Sequence, residues 1–215
     1  MAAVADPRPV QLRHRTALTS EEYVTQQGWQ TASLEHCPLH PQGGCGFARH
    51  TPYWRVEPPG MQVARYYCPE GHTTFSLLPD CLASRLSSTL AEVEQVVVVA
   101  EMAPTVEQAA RQLRPDIEMQ GAVRWLGRRV RPVRVALLAI VTLVGPTLGN
   151  VAPTLTALRT AIGTEAGLVH LREVAGNQLR SLPPPLGFGP RPQPRRSRQY
   201  AFQHEAGADP PGERR

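Results

Sequence analysis

Two short runs decide how this chain is read: CPLHPQGGCGF, from Cys37 to Phe47, and YYCPEGHTTFSLLPD, from Tyr66 to Asp80. Each brings sulfur or imidazole ligands close together, Cys37 with Cys45 or His40 in the first run and Cys68 with His72 in the second. A structural zinc ion takes four such ligands in a tetrahedron, commonly from two short knuckles joined by a hairpin. The intervening segment supplies that hairpin. His50 to Val56 and Met61 to Tyr67 have strand composition, and Glu57, Pro58, Pro59 and Gly60 form the turn between them. A ribbon this small buries too little apolar surface to fold alone, so the metal is expected to supply most of its stability.

The expected ligand set is Cys37, Cys45, Cys68 and His72. The first pair is stretched, with seven residues between its cysteines, whereas Cys37 and His40 have the tighter knuckle spacing. His40 and Cys45 therefore compete for one position. Cys45 is favoured, because Gly43, Gly44 and Gly46 around it permit the tight backbone that a thiolate knuckle needs. The competing reading is cysteines packed as small buried hydrophobes. No secretory signal segment is recognised, so free thiols in a reducing cytoplasm are expected rather than disulfides.

These runs also carry a resemblance. The residues that carry it begin with Cys37, Pro38, Cys45 and Gly46, followed by Arg49, His50, Tyr53 and Arg55. Arg65, Tyr67 and Cys68 come next, and the run TFSLLPD from Thr74 to Asp80 completes the set. Together they resemble the N-terminal zinc ribbon of insertion-sequence transposases. The pattern is most similar to a family of short transposon-associated bacterial proteins that join such a ribbon to a helix-turn-helix. It departs from them through an insertion in the first knuckle and through His72 standing where a second cysteine is usual. The resemblance implies a DNA-binding role linked to a mobile element, as an accessory factor or as the detached DNA-binding half of a transposase.

The rest of the chain is read around this stretch. Its 215 residues allow one medium domain or two small ones. The net charge is +5, and all 23 basic residues are arginine, a side chain suited to bidentate contact with phosphate and guanine. Residues 1–35 are expected to form an N-terminal arm, mobile over residues 1–18, with a short helix from Ser20 to Gln27 opened by a capping box at Thr19 and Glu22. The ribbon occupies 36–80. In residues 81–134, a helical region is expected to begin at Cys81, with a capping box at Thr89 and Glu92 opening a helix to Met102. Thr105 caps a second helix ending at Leu113, and a third ends near Arg131, where Pro132 interrupts it.

These three helices resemble a helix-turn-helix of the transposase and homeodomain-like type, through Ala109 to Leu113 and Val123 to Leu126. On the third helix Met119, Ala122, Val123, Leu126 and Val130 make a core stripe, while Arg124, Arg128 and Arg131 make a separate exposed row beside Arg129 and Trp125. With Arg111 these five arginines are the candidate contacts to double-stranded DNA; a merely solvated basic face is the competing reading. Trp125 is expected to anchor the core.

From Val135 to Leu158 there is no charged residue, a length sufficient for a bilayer span. Gly145, Pro146, Gly149, Asn150 and Pro153 cut the run, so residues 135–182 are expected to be a C-terminal helical layer: Pro132 to Val144, Pro153 to Ile162, and Thr164 to about Leu182. Residues 183–215 are Pro- and Arg-rich and expected to be a disordered tail. The fold class is thus α+β, mainly α, with a small β zinc ribbon, a helix-turn-helix unit and additional C-terminal helices.

Carboxylates are few and mostly sit at helix starts, with no phosphate loop or nucleophile elbow, and Cys81 is isolated. The expected function is non-catalytic: a cytoplasmic, zinc-dependent DNA-binding protein whose further partners would be a separate transposase subunit or a second copy of itself. The alternative is a protein–protein interaction module with structural zinc, and a membrane-associated protein ranks behind both.

Overall fold

Three consecutive strands and one from much earlier in the chain build the sheet. The computed structural model describes residues 10–148 and 151–189, with backbone alone for 144–148. Its four strands are β1 (Val10–His14), β2 (Ala48–Trp54), β3 (Gln62–Cys68) and β4 (Thr73–Pro79), in the order β1-β4-β3-β2. The hairpin of β2 and β3 is as expected, with Gly60 in the left-handed region at the turn (φ 76°). A register shift between His50 and Tyr53 accommodates Pro52, which has no N–H to donate on this edge strand.

The N-terminal arm is corrected. Residues 1–9 lie outside the described set, but β1 pairs in parallel with β4, Val10 opposite Phe75 and Leu12 opposite Leu77. β4 would otherwise expose a row of unpaired backbone groups, and β1 supplies their partners. Helix α1 (Ser20–Thr25) follows, with the Thr19–Glu22 capping box formed as expected.

Five helices follow the sheet: α2 (Leu90–Met102), α3 (Val106–Leu113), α4 (Met119–Leu148), α5 (Leu155–Ile162) and α6 (Gly167–Val174). The second capping box forms at Thr89 and Glu92, and Thr105 Oγ1 accepts the Gln108 N–H. The Cys81–Leu86 segment is a turn rather than a helix, with Arg85 at φ 55° and the Ala83 N–H bonded to Ser88 O. α4 contradicts the expected break at Pro132. A proline inside a helix costs about 3 kcal/mol, but Val130, Val133, Ala136, Leu137 and Ile140 on both sides of it are buried against one core, and that burial outweighs the lost bond. The helix expected from Pro132 to Val144 is therefore the second half of α4. The helix expected to reach Leu182 ends at Val174, and a single 3-10 turn, Gly176–Gln178, follows.

Helix α2 caps two others. Glu94 accepts the N–H groups of Gly167 (2.8 Å) and Leu168 (3.0 Å) at the start of α6. About two turns further along α2, Glu101 accepts those of Leu155 and Thr156 (both 2.9 Å) at the start of α5. Both carboxylates meet the positive end of a helix dipole and satisfy N–H groups that the helix leaves orphaned.

One apolar core lies among α2–α6 and another beneath the sheet, against Tyr23 and Trp29. Arg172 joins them. It is fully buried, and its guanidinium donates to four carbonyls: Asp80 (3.0 Å), Leu82 (2.8 Å), Pro185 (2.7 Å) and Leu186 (3.0 Å). The Phe188 ring lies against it and touches both cores. Arg13 on β1 adds a bidentate pair with Asp80 (2.7 and 2.9 Å) and a contact to Glu173 on α6. Residues 183–189, expected to begin the tail, are therefore packed; residues 190–215 lie outside the described set. Among the described residues no helix is long and apolar enough to cross a membrane.

Candidate metal centre

Cys37, His40, Cys45 and Cys68 converge, their ligand atoms all within 4.8 Å of one another. His40 Nδ1 lies 3.7 Å from Cys37 Sγ and 3.3 Å from Cys68 Sγ. A tetrahedral ion with metal–sulfur and metal–nitrogen bonds of about 2.3 and 2.0 Å sets its ligands roughly 3.5 Å apart, so these separations are those of tetrahedral edges. The three thiols are buried and free of disulfides, and His40 is half-buried. This donor set can hold a metal ion.

The local backbone explains the convergence. The His40 N–H bonds Cys37 O, closing a tight turn that brings the imidazole back over the first cysteine. Gly43 and Gly44 then adopt φ of 84° and 82°, conformations that side chains rarely take, and return the chain so that Cys45 faces inward. The second knuckle depends on Gly71. Its N–H bonds Cys68 Sγ at 3.3 Å, and a Cβ there would lie 2.5 Å from Leu39 and 3.4 Å from that sulfur. His40 Nε2 also faces Glu70 at 3.6 Å, an outer carboxylate of the kind that fixes a ligating imidazole.

The electrostatics differ among the thiols. Burial opposes ionisation at Cys37, but hydrogen bonds from His40 and from the backbone N–H groups of Leu39 and His40 outweigh it and bring this thiol down to about 7. Cys45 is held above the ordinary thiol range by burial and by its cysteine neighbours. Cys81, outside the cluster, is pushed up to about 11 chiefly by burial.

Of the four residues expected at the metal, Cys37, Cys45 and Cys68 join this cluster and His72 does not. His40 and Cys45 are not competitors, since both enter the cluster, and His72 is the residue left out. His72 follows Gly71 with φ 44°, which turns its side chain outward to meet the Tyr67 hydroxyl at 3.4 Å. The tight spacing of Cys37 and His40 is the sequence signal for the residue that joins the cluster. Glu70, next to the Cys68 knuckle, belongs to no ligand spacing and emerges only from the fold.

The arginines expected to meet DNA separate into two groups. Arg111 on α3 and Arg124, Arg128 and Arg131 on α4 are exposed. Arg129 is not part of that row: its guanidinium lies 4.2 Å from the centre of the half-buried Trp125 ring, and Arg114 stacks on the same ring at 5.3 Å. Burial, then the neighbouring Arg114 and Arg128, lowers the Arg129 pKa. Arg134, exposed on α4, is a further arginine that the sequence reading did not single out. With Arg124, Arg128 and Arg131 it lines a cleft of ≈ 700 Å³ together with Ala100, Leu126, Val130 and Val135. None of these four arginines pairs with a carboxylate among the described residues.

Comparison of the chain with models of known protein families, with curated proteins and with solved structures gives no match, so the residues and their geometry alone carry the functional reading.

Proposed function

We propose that the chain is a zinc-dependent DNA-binding protein, without catalytic activity of its own, acting with a mobile element. One observation carries the DNA reading. α4 holds five arginines and no carboxylate, an excess equal to the +5 net charge of the entire chain. The remaining charges cancel, so the basic character is concentrated on one helix. Four of those arginines line an open cleft without acidic partners among the described residues, where a polyanion gains most from displacing counterions. The packing of α2, α3 and α4, with Ala109 and Ala110 buried between them, supports a helix-turn-helix role with α4 as the reading helix.

Zinc is the metal proposed for the four ligands, because three thiolates and one imidazole in a closed, buried tetrahedron suit a structural zinc site. The link to transposition rests on the residues shared with transposase ribbons. Free, buried cysteines suit the cytoplasm.

A second reading, assembly through α4, is favoured by a different observation. Val135, Leu138 and Leu143 continue along the helix as exposed apolar residues, which would suit a second copy or a transposase subunit.

Fluorescence anisotropy with a labelled duplex tests the first reading. Arg124→Ala and Arg128→Ala should each weaken binding and reduce the slope of log affinity against log salt by about one. Unchanged affinity in the folded double variant would move the assembly reading ahead.

A further inference from the structure

His72, which lies outside the cysteine cluster, belongs to a second surface. β3 turns Arg65 and Tyr67 to one face of the sheet. Across the register, Arg65 stands opposite His50, Tyr67 opposite Ala48, and on the other side Tyr67 stands opposite Thr74. The small Ala48 leaves the Tyr67 ring uncovered by its cross-strand neighbour.

The rings on this face run into one another. The Tyr67 hydroxyl meets His72, and the Tyr67 and His50 rings lie edge to face with centroids 6.3 Å apart. Arg65 reaches over the Tyr53 ring at 5.9 Å. His50 and His72 are exposed, and Tyr53, Arg65 and Tyr67 are half-buried. The Cys68–Gly71 turn, closed by the Gly71 N–H on Cys68 Sγ, pins one end of this row, since Cys68 follows Tyr67 and Gly71 precedes His72. The opposite face of the same strands is buried through Tyr66, Phe75 and Leu77, and on the ring face itself Val63 and Ser76 are buried, so the accessible part of that face lies toward the knuckle end.

Charge adds a second, independent observation. None of the four strands carries a carboxylate. Two of their three arginines are engaged: Arg13 holds Asp80 and Glu173, and Arg49 donates to the carbonyls of Trp29 and Gln30. Arg65 has no hydrogen-bonded or ionic partner among the described residues, and its half-buried guanidinium lies over the Tyr53 ring.

We propose that this face binds single-stranded nucleic acid, with unpaired bases stacking on Tyr67 and His50 while Arg65 meets the phosphates. Rings interleaved with an unpaired arginine, on a sheet lacking carboxylates, match what unpaired strands require. Every base offers a π-face, and the backbone offers negative charge. A folded protein partner would need an apolar centre, and this row has polar edges throughout. The surface is distinct from the α4 cleft, which is assigned to duplex DNA.

The test uses the full metal-loaded chain, a labelled oligothymidylate and a labelled hairpin duplex, read by anisotropy across a salt series. Tyr67→Ala should weaken oligothymidylate binding about tenfold, and Tyr67→Phe should retain it, because the ring remains. Arg65→Ala should weaken oligothymidylate binding and flatten its salt dependence. None of the three should change duplex binding, whereas Arg124→Ala with Arg128→Ala should weaken the duplex and spare the oligothymidylate. Tyr67→Leu, checked for metal content, substitutes if the alanine variant does not fold. The proposal is overturned if the native chain does not bind oligothymidylate, or if folded Tyr67 variants lacking the ring bind it as tightly as the native chain. Equal losses for both nucleic acids in the Tyr67 variants also overturn it.

Discussion

The sheet and the helical layer hold their shapes by different means. The helical layer draws on a continuous apolar core running from Leu90 to Leu186 and on two carboxylates of α2 that cap neighbouring helices. The core beneath the sheet includes, at the knuckle end, the three cysteines themselves. Without a metal, three thiols and an imidazole face one another with little to hold them together. Burial holds one half, a metal at the proposed site would hold the knuckle end of the other, and Arg172 ties the two together.

Metal removal should separate the halves most sharply. Structural zinc contributes on the order of 10 kcal/mol, so chelation, or Cys68→Ser, should abolish the near-ultraviolet signal of the sheet aromatics while the helical far-ultraviolet signal persists. Loss of both signals together would show that the helical layer does not stand alone. Arg172→Met comes next. It strips partners from four buried carbonyls at about 1–3 kcal/mol each, so urea unfolding should lose several kcal/mol and split into two transitions. A single transition of unchanged midpoint would contradict the tie. Glu94→Ala should cost about 2 kcal/mol, seen as a lower thermal midpoint with metal content intact. His72→Ala, at the small end, should change stability by less than about 0.5 kcal/mol and leave the metal bound.

Local signals are legible in the sequence. The capping boxes at Thr19 and Thr89 and the Thr105 cap form as expected, because an N-cap depends only on residues within one turn. The cysteine cluster is legible as a group, since its members sit in two short runs. What fails depends on distant partners. β1 has no signal of its own beyond Val10 and Leu12, and becomes a strand because β4 needs a neighbour. Pro132 reads as a break until the core on both sides of it is known. Glu94 and Glu101 acquire their role only when α6 and α5 dock against α2. His40 and His72 exchange places because spacing alone does not reveal that a left-handed residue after Gly71 points the second imidazole away.

Metal analysis of the purified chain tests the central claim most directly, with Cys68→Ser, His40→Ala and His72→Ala measured beside it. The account predicts about one zinc per native chain, lost in Cys68→Ser, weakened in His40→Ala and unchanged in His72→Ala. Folded native protein without metal, or metal kept by His40→Ala and lost from His72→Ala, would contradict it.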